Sequence, residues 1–461
     1  MNLRILVVLA VLLMAGCLSK KNVIGDPSVT TLISPQGIEY TKIKLPNEER
    51  IELKIAWPHN WSFRPETNKA APHVGSQLLL LAGADGYSPG MVLDYFNDID
   101  AHADIYLYAN DYIIGELSFH KDDLTNVLKI VKAHLVSPNF DEHWKNRIVD
   151  SLEESLHEWS MMPEMIGYEI FVNSVFNNTV LRDALSINYF DALQTVSKDD
   201  VSDWHKQTFT KSPQAIVIAG DITTEESNTI IDDLIGALSD SEFTSQKIVN
   251  SDLSPKRILF YQPELTTSYV SLIGKLPSLH QSDFGSEAED IIIAYHLGGN
   301  DQSILFDSVR NTLRASYDFS ANIALLTHNQ RFLVLSGLVD SNHVDDVERI
   351  VMNAYRDFKN QGFEENIDDL KLNMKEYYNQ NSKKIDVLSQ GIMLTLLEGK
   401  KPSIFLETPS LIDSITLQSI NNRLHNFPMS DELIVIAISS DKDALPGACV
   451  IMIIEDVANC L

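Results

Sequence analysis

Apolar residues recur along this chain with two periods, and each period predicts an element. Leu124, Val127, Leu128 and Val131 fall on one face of a helix, and so do Val344, Val347, Ile350, Val351 and Tyr355. Short unbroken apolar runs at Ala215–Ala219 and Leu433–Ile438 read as buried strands. Between 304 and 325 the period switches. Ile304, Leu305, Phe306, Val309 and Leu313 make a helical face, after which Tyr317, Phe319, Ala321, Ile323 and Leu325 alternate as a strand does.

The pattern also repeats. A Phe-Asp-Glu at Phe140 and a Phe-Glu-Glu at Phe363 each open a helix behind an amphipathic one, 223 positions apart. Ser197 and Thr416 both stand as N-caps before helices, 219 positions apart. Two offsets this close predict a duplicated unit. Thr223-x-x-Glu226 is a capping box that follows the first apolar strand and a Gly220–Asp221 turn. Each copy reads as antiparallel strands followed by a group of helices, an α+β unit with helices packed on one face of a sheet. The expected division is a leader over 1–17, a tether over 18–36, a first domain over 37–240, a polar linker over 241–256 and a second domain over 257–461.

The chemistry that stands out lies in the second copy. Gly298 and Gly299 let the backbone turn where a side chain would obstruct it. Arg310 then sits at the edge of the helical face, and Tyr317 opens the strand. A guanidinium and a phenol aimed at one spot are suited to holding a peptide carbonyl or its oxyanion through charge-assisted hydrogen bonds.

The run Leu297-Gly298-Gly299, Ser303, Leu305-Phe306, Arg310 and Tyr317 resembles the second domain of the insulinase/pitrilysin (inverzincin) family of zinc peptidases. The Gly220–Asp221 turn is similar as well. The resemblance extends over nearly the whole chain from about Gly37. It implies two tandem homologous α+β domains, half of a peptidase clamshell, in which Arg310 and Tyr317 contact substrate beside the zinc.

The metal half of the family pattern is missing. The family's His-x-x-Glu-His puts two zinc-binding imidazoles on one helical face with a general base between them, and a later Glu completes the site. Aligned on Gly83, the matching stretch is Val74-Gly75-Ser76-Gln77-Leu78, with neither ligand nor base. His73 lies one residue away from the first ligand position, and Glu153 and Glu154 lie near the distal one; together they do not make a zinc site. Asn139-Phe-Asp-Glu142-His143 and His157-Glu158 are fragments of metal motifs that each lack a ligand. No phosphate loop, nucleophile elbow or Cys-x-x-Cys knuckle points to another enzyme class.

The beginning of the chain bears on location. Arg4, an apolar run over Ile5–Met14, and Ala15–Gly16 before Cys17 resemble a bacterial lipoprotein signal in which Cys17 is lipidated. Met14 stands where leucine is usual. Leu18, in place of an aspartate, implies an outer-membrane lipoprotein facing the periplasm. Of the remaining cysteines, Cys449 and Cys460 are either a pair or two separate thiols. A net charge of −28 argues against nucleic acid as a partner, because binding phosphates needs a basic face. With 44% hydrophobic residues the chain can bury sizeable cores.

The resemblance therefore implies a zinc-less subunit of a periplasmic heterodimeric metallopeptidase. It would have no cofactor of its own, and a homologous partner would carry zinc. Peptides would be the substrates, and the lipid would attach the chain to the membrane. The alternative is a pseudoenzyme scaffold or peptide-binding lipoprotein with no part in proteolysis.

Overall fold

A computed structural model describes residues 27–460 apart from 177–179, 187–189, 241–250, 252, 278, 280–283, 312–318, 328–329 and 365–366. Cys17 and Tyr317 lie outside the described residues. The first copy carries strands β1 (Ser28–Ile33), β2 (Glu39–Lys44), β3 (Arg50–Pro58), β4 (His102–Tyr108), β5 (Tyr112–His120) and β6 (Ala215–Gly220). Its helices are α1 (Ala71–Leu81), α2 (Pro89–Asp98), α3 (Leu124–Val136), α4 (Glu142–Trp159), α5 (Pro163–Val175), α6 (Val180–Leu185), α7 (Phe190–Thr195), α8 (Lys198–Thr208) and α9 (Thr224–Leu234). The second copy carries β7 (Arg257–Tyr261), β8 (Ser268–Lys275), β9 (Ser320–Thr327), β10 (Gln330–Val339), β11 (Ile434–Ser439) and β12 (Cys449–Ile451). Its helices are α10 (Phe284–Gly298), α11 (Ile304–Phe306), α12 (Val344–Gln361), α13 (Asp368–Asn381), α14 (Ile385–Leu397), α15 (Ile404–Ser414) and α16 (Leu417–His425).

The two sheets share a five-strand topology and differ in one outer strand: β1, the first in the chain, pairs antiparallel with β2, whereas β12, the last, pairs parallel with β7. Their orders are β1-β2-β6-β3-β5-β4 and β12-β7-β11-β8-β10-β9, so the last long strand of each copy inserts at the same place. β6 pairs parallel with β2 and antiparallel with β3, and β11 does the same with β7 and β8. The architecture is α+β as expected, but each sheet is mixed. The reason lies in β6 and β11, which are buried at every position and so must be covered on both faces.

What covers the second face is an exchange between the copies. α5, from the first copy, lies on β8 and β11 of the second sheet, where Ile166 and Ile170 share a core with Tyr269, Ile273, Ile436 and Ile438. α14, from the second copy, lies on β3 and β6 of the first sheet, where Leu388 and Ile392 meet Ala56, Val217 and Ala219. Each buried Ile or Leu here contributes roughly 1.5–3 kcal/mol. The exchange makes neither copy complete alone.

Local signals behave as the pattern predicts at the caps. Ser197, Thr223 and Thr416 each accept from the third backbone N–H of their helices, with Asp200, Glu226 and Ser419 closing the capping boxes. One repeat boundary shifts. Asp141 caps α4 next to Phe140, whereas α13 starts at Asp368, five residues after Phe363, whose backbone N–H and carbonyl are both held in the connection by Asn421. Cys449 and Cys460 form a disulfide joining β12 to the C-terminal segment. No described helix is long and apolar enough to cross a membrane.

A carboxyl sits buried on the α14-facing side of the first sheet. Burial pushes Glu52 up to about 6 against its ordinary 4.5, despite a hydrogen bond with Ser118 and the nearby Lys54 ammonium. A raised carboxyl pKa means that the fold holds the proton more tightly than the unfolded chain. The stability it contributes is complete below pH 4.5 and is lost as pH rises to about 6. Glu52→Gln is therefore expected to stabilise the chain at pH 8 by about 1–2 kcal/mol and to leave it nearly unchanged at pH 4. Urea denaturation at the two pH values measures this; equal shifts at both would contradict it.

Candidate functional site

The stretch expected to align with the zinc motif, 74–78, lies on α1. Val74 and Leu78 are fully buried in the first core, together with Ile148, Leu152 and Leu156 of the neighbouring α4. Their aliphatic side chains fill the space between the helices. Gln77, where the general base would be, is half-buried. A Cβ on Gly75 would stand 2.3 Å from the Trp204 ring, so α1 is pressed directly onto α8. Glu153 is half-buried and Glu154 exposed on α4. Among the described residues no group of three or more His, Cys, Asp or Glu is arranged to hold a metal ion.

His73 does not substitute for a ligand in that arrangement. Burial lowers its pKa to about 4, so it is a neutral imidazole at physiological pH. His59, one of its neighbours, is pushed down to about 3 by burial and the nearby His73, and its Nε2 lies 2.8 Å from Ser62 Oγ. This histidine pair was not legible in the sequence, since 13 positions and a strand-to-helix connection separate its members. The motif fragments are ordinary structure. Asp141 caps α4, Phe140 is buried, and His157 is exposed on the helix surface.

The segment around Arg310 is built differently from the expected helix. α11 is a single turn, and a π-helical turn over Asp307–Asn311 follows it. Leu305 and Val309 are fully buried, as the apolar face predicts. The wider turn leaves Arg310 exposed, with its guanidinium 4.9 Å from the centre of the Phe306 ring. Turns of this kind recur at functional sites. Cation–π contact with Phe306 limits the rotamers open to the arginine.

Gly298 and Gly299 serve a different purpose from the one expected. Neither has a left-handed backbone; a Cβ on Gly298 would lie 2.2 Å from the Ala321 backbone nitrogen, and one on Gly299 would run into Tyr295. The glycines let the end of α10 touch β9. That contact sets where the Arg310 turn stands relative to the strand. β9 spans Ser320–Thr327, with Phe319 and Ala321 buried against the second core; Tyr317, expected to open a strand, lies outside the described residues. The Arg310–Tyr317 pairing itself lies outside the described residues.

Comparison with known proteins bears on the fold. Residues 195–374 match the family model described as the Peptidase M16 inactive domain. No characterised protein sequence matches the chain significantly. Among solved structures, a peptidase M16 inactive domain from Pseudomonas fluorescens is similar at 12% identity and a TM-score of 0.79, over 89% of this chain and 98% of that one. A protease from Helicobacter pylori aligns at 12% identity and a TM-score of 0.77, over 90% and 99%. The first half of the periplasmic protease PqqL from Escherichia coli aligns at 15% identity and a TM-score of 0.69, over 91% and 94%. Against the whole of PqqL, the alignment covers 94% of this chain and 50% of that protein.

Proposed function

Because this chain carries an M16 inactive domain and folds as half of an insulinase-like clamshell, we propose that it is the zinc-less subunit of a heterodimeric metallopeptidase. The observation that carries the reading is the division of its residues. Val74 and Leu78 are buried where ligands would stand, while Arg310 is exposed on a π turn held by Phe306. A partner of the same fold would supply zinc and the activated water. Arg310 and Tyr317 would donate hydrogen bonds to the scissile carbonyl as it becomes an oxyanion. That PqqL is twice as long as the aligned region supports the need for a second half. Lipidation at Cys17 would hold the assembly at the outer membrane, facing the periplasm.

One observation favours a second reading, peptide binding without hydrolysis. β4 is the outermost strand of the first sheet, and an extended peptide can add to such an edge through main-chain hydrogen bonds. Reconstitution separates the two. The mature chain is purified alone and with a zinc-bearing homologue from the same genome, and hydrolysis of unstructured peptides is followed with and without chelator. The proposal expects chelator-sensitive cleavage that is far faster in the mixture than with either chain alone. Chelator-sensitive cleavage by this chain by itself, or no gain on mixing, would overturn it.

A further inference from the structure

The disulfide between Cys449 and Cys460 fastens a short segment over the seam where the two copies meet. β12 lies on the outer edge of β7 and pairs parallel with it, Cys449 opposite Ile258 and Ile451 opposite Phe260. The 3₁₀ turn Ile454–Cys460 follows and packs against α5, the helix that the first copy places on the second sheet. Ile451 and Val457 share one core with Ile166, Ile170 and Phe171 of α5.

Little besides the bridge secures this cover. From 446 to 460 only Ile451 and Val457 are buried, whereas Val450, Met452 and Ile453 are exposed. Ordering the backbone of a segment this long costs more than two buried side chains return. Ala444 and Leu445, just upstream, are buried in the second core, so the anchored part of the chain stops there. Closing the loop between Cys449 and Cys460 removes most of the freedom that the segment would gain on release.

We propose that this disulfide is a redox clasp: a dithiol reductant opens it, and residues 446–460 then leave the sheet edge and uncover β7 and the flank of α5. Both cysteines are only half-buried, which gives the reductant its approach. One thiolate of the reductant attacks a cysteine sulfur, forming a mixed disulfide and releasing the other cysteine as a thiolate. The second thiol of the reductant, as its thiolate, then displaces the first cysteine. Two electrons and two protons pass to the cystine, and the reductant ends as a disulfide. The clasp works within this chain and does not depend on a zinc-bearing partner.

The full mature chain is treated with dithiothreitol without denaturant, and amide hydrogen exchange is followed by mass spectrometry while alkylation of Cys449 and Cys460 reports their thiols. Reduction is expected to speed exchange about tenfold or more in 446–460 and in β7, with α1, α4 and β8 changed by less than about twofold. Reoxidation after removal of the reductant should restore the starting pattern. The double variant Cys449→Ser, Cys460→Ser should show the released pattern from the outset and no response to dithiothreitol; if it fails to fold, the reduced wild type decides alone. A bridge that resists dithiothreitol in the folded chain, or a reduced chain whose exchange in 446–460 stays within about twofold, would overturn the clasp. Exchange rising throughout both copies would overturn it equally, since the bridge would then hold the whole fold.

Discussion

Asp290→Ala is expected to destabilise the chain by about 3–5 kcal/mol. Asp290 is fully buried on α10, and its two oxygens receive Arg423 Nε at 2.6 Å, Arg423 Nη2 at 2.7 Å and Arg331 Nη1 at 2.9 Å. One carboxylate thus joins α10, α16 and the start of β10. Both guanidiniums are less than a tenth exposed. Removing the carboxylate would take from two buried guanidiniums the anion they share, which costs far more than the intact cluster contributes. Chemical denaturation of wild type and variant under matched conditions measures it. A loss below 1 kcal/mol would show that water or rearrangement solvates the arginines.

In the reconstituted complex, Arg310→Ala is expected to lower kcat about 10²–10³-fold, the size seen when one oxyanion donor is removed. KM should change little, because the hydrogen bond strengthens only as charge develops on the carbonyl oxygen. The side chain is exposed and stacks on Phe306. Arg310→Lys should restore part of the loss, since a single ammonium keeps the charge without the planar fork. Steady-state kinetics with size-exclusion chromatography reads both quantities. An unchanged kcat in an intact complex would favour the binding reading over participation in hydrolysis.

How much could be read in advance varies with the range of the interactions. Capping boxes at Ser197, Thr223 and Thr416 were legible because every partner lies within three residues. Buried strands β6 and β11 were legible as unbroken apolar runs. The same runs, unlike alternating strands, carried a hint that both sheet faces are covered. α5 and α14 are apolar around most of their circumference, a sign of helices buried on several sides. Their exchange between copies was not legible, because composition says that a helix is buried without saying beneath which sheet.

The Arg310 segment shows the same limit at closer quarters. Its apolar positions predicted a helix, and Leu305 and Val309 are buried accordingly. A π turn buries the same two positions as an α turn would, so periodicity could not distinguish them. Gly298 and Gly299 were visible as special positions, but the sequence suggested a turn where the structure shows close contact with β9 and Tyr295.

By itself, the order of residues determined the duplication, the α+β class and the non-ligand residues at 74–78, since each depends on local pattern or residue identity. Only the tertiary structure decided which sheet each exchanged helix covers and that Asp290 binds two arginines from distant segments. Those features are contacts between groups far apart along the chain, and their energies exist only once packing has brought the groups together.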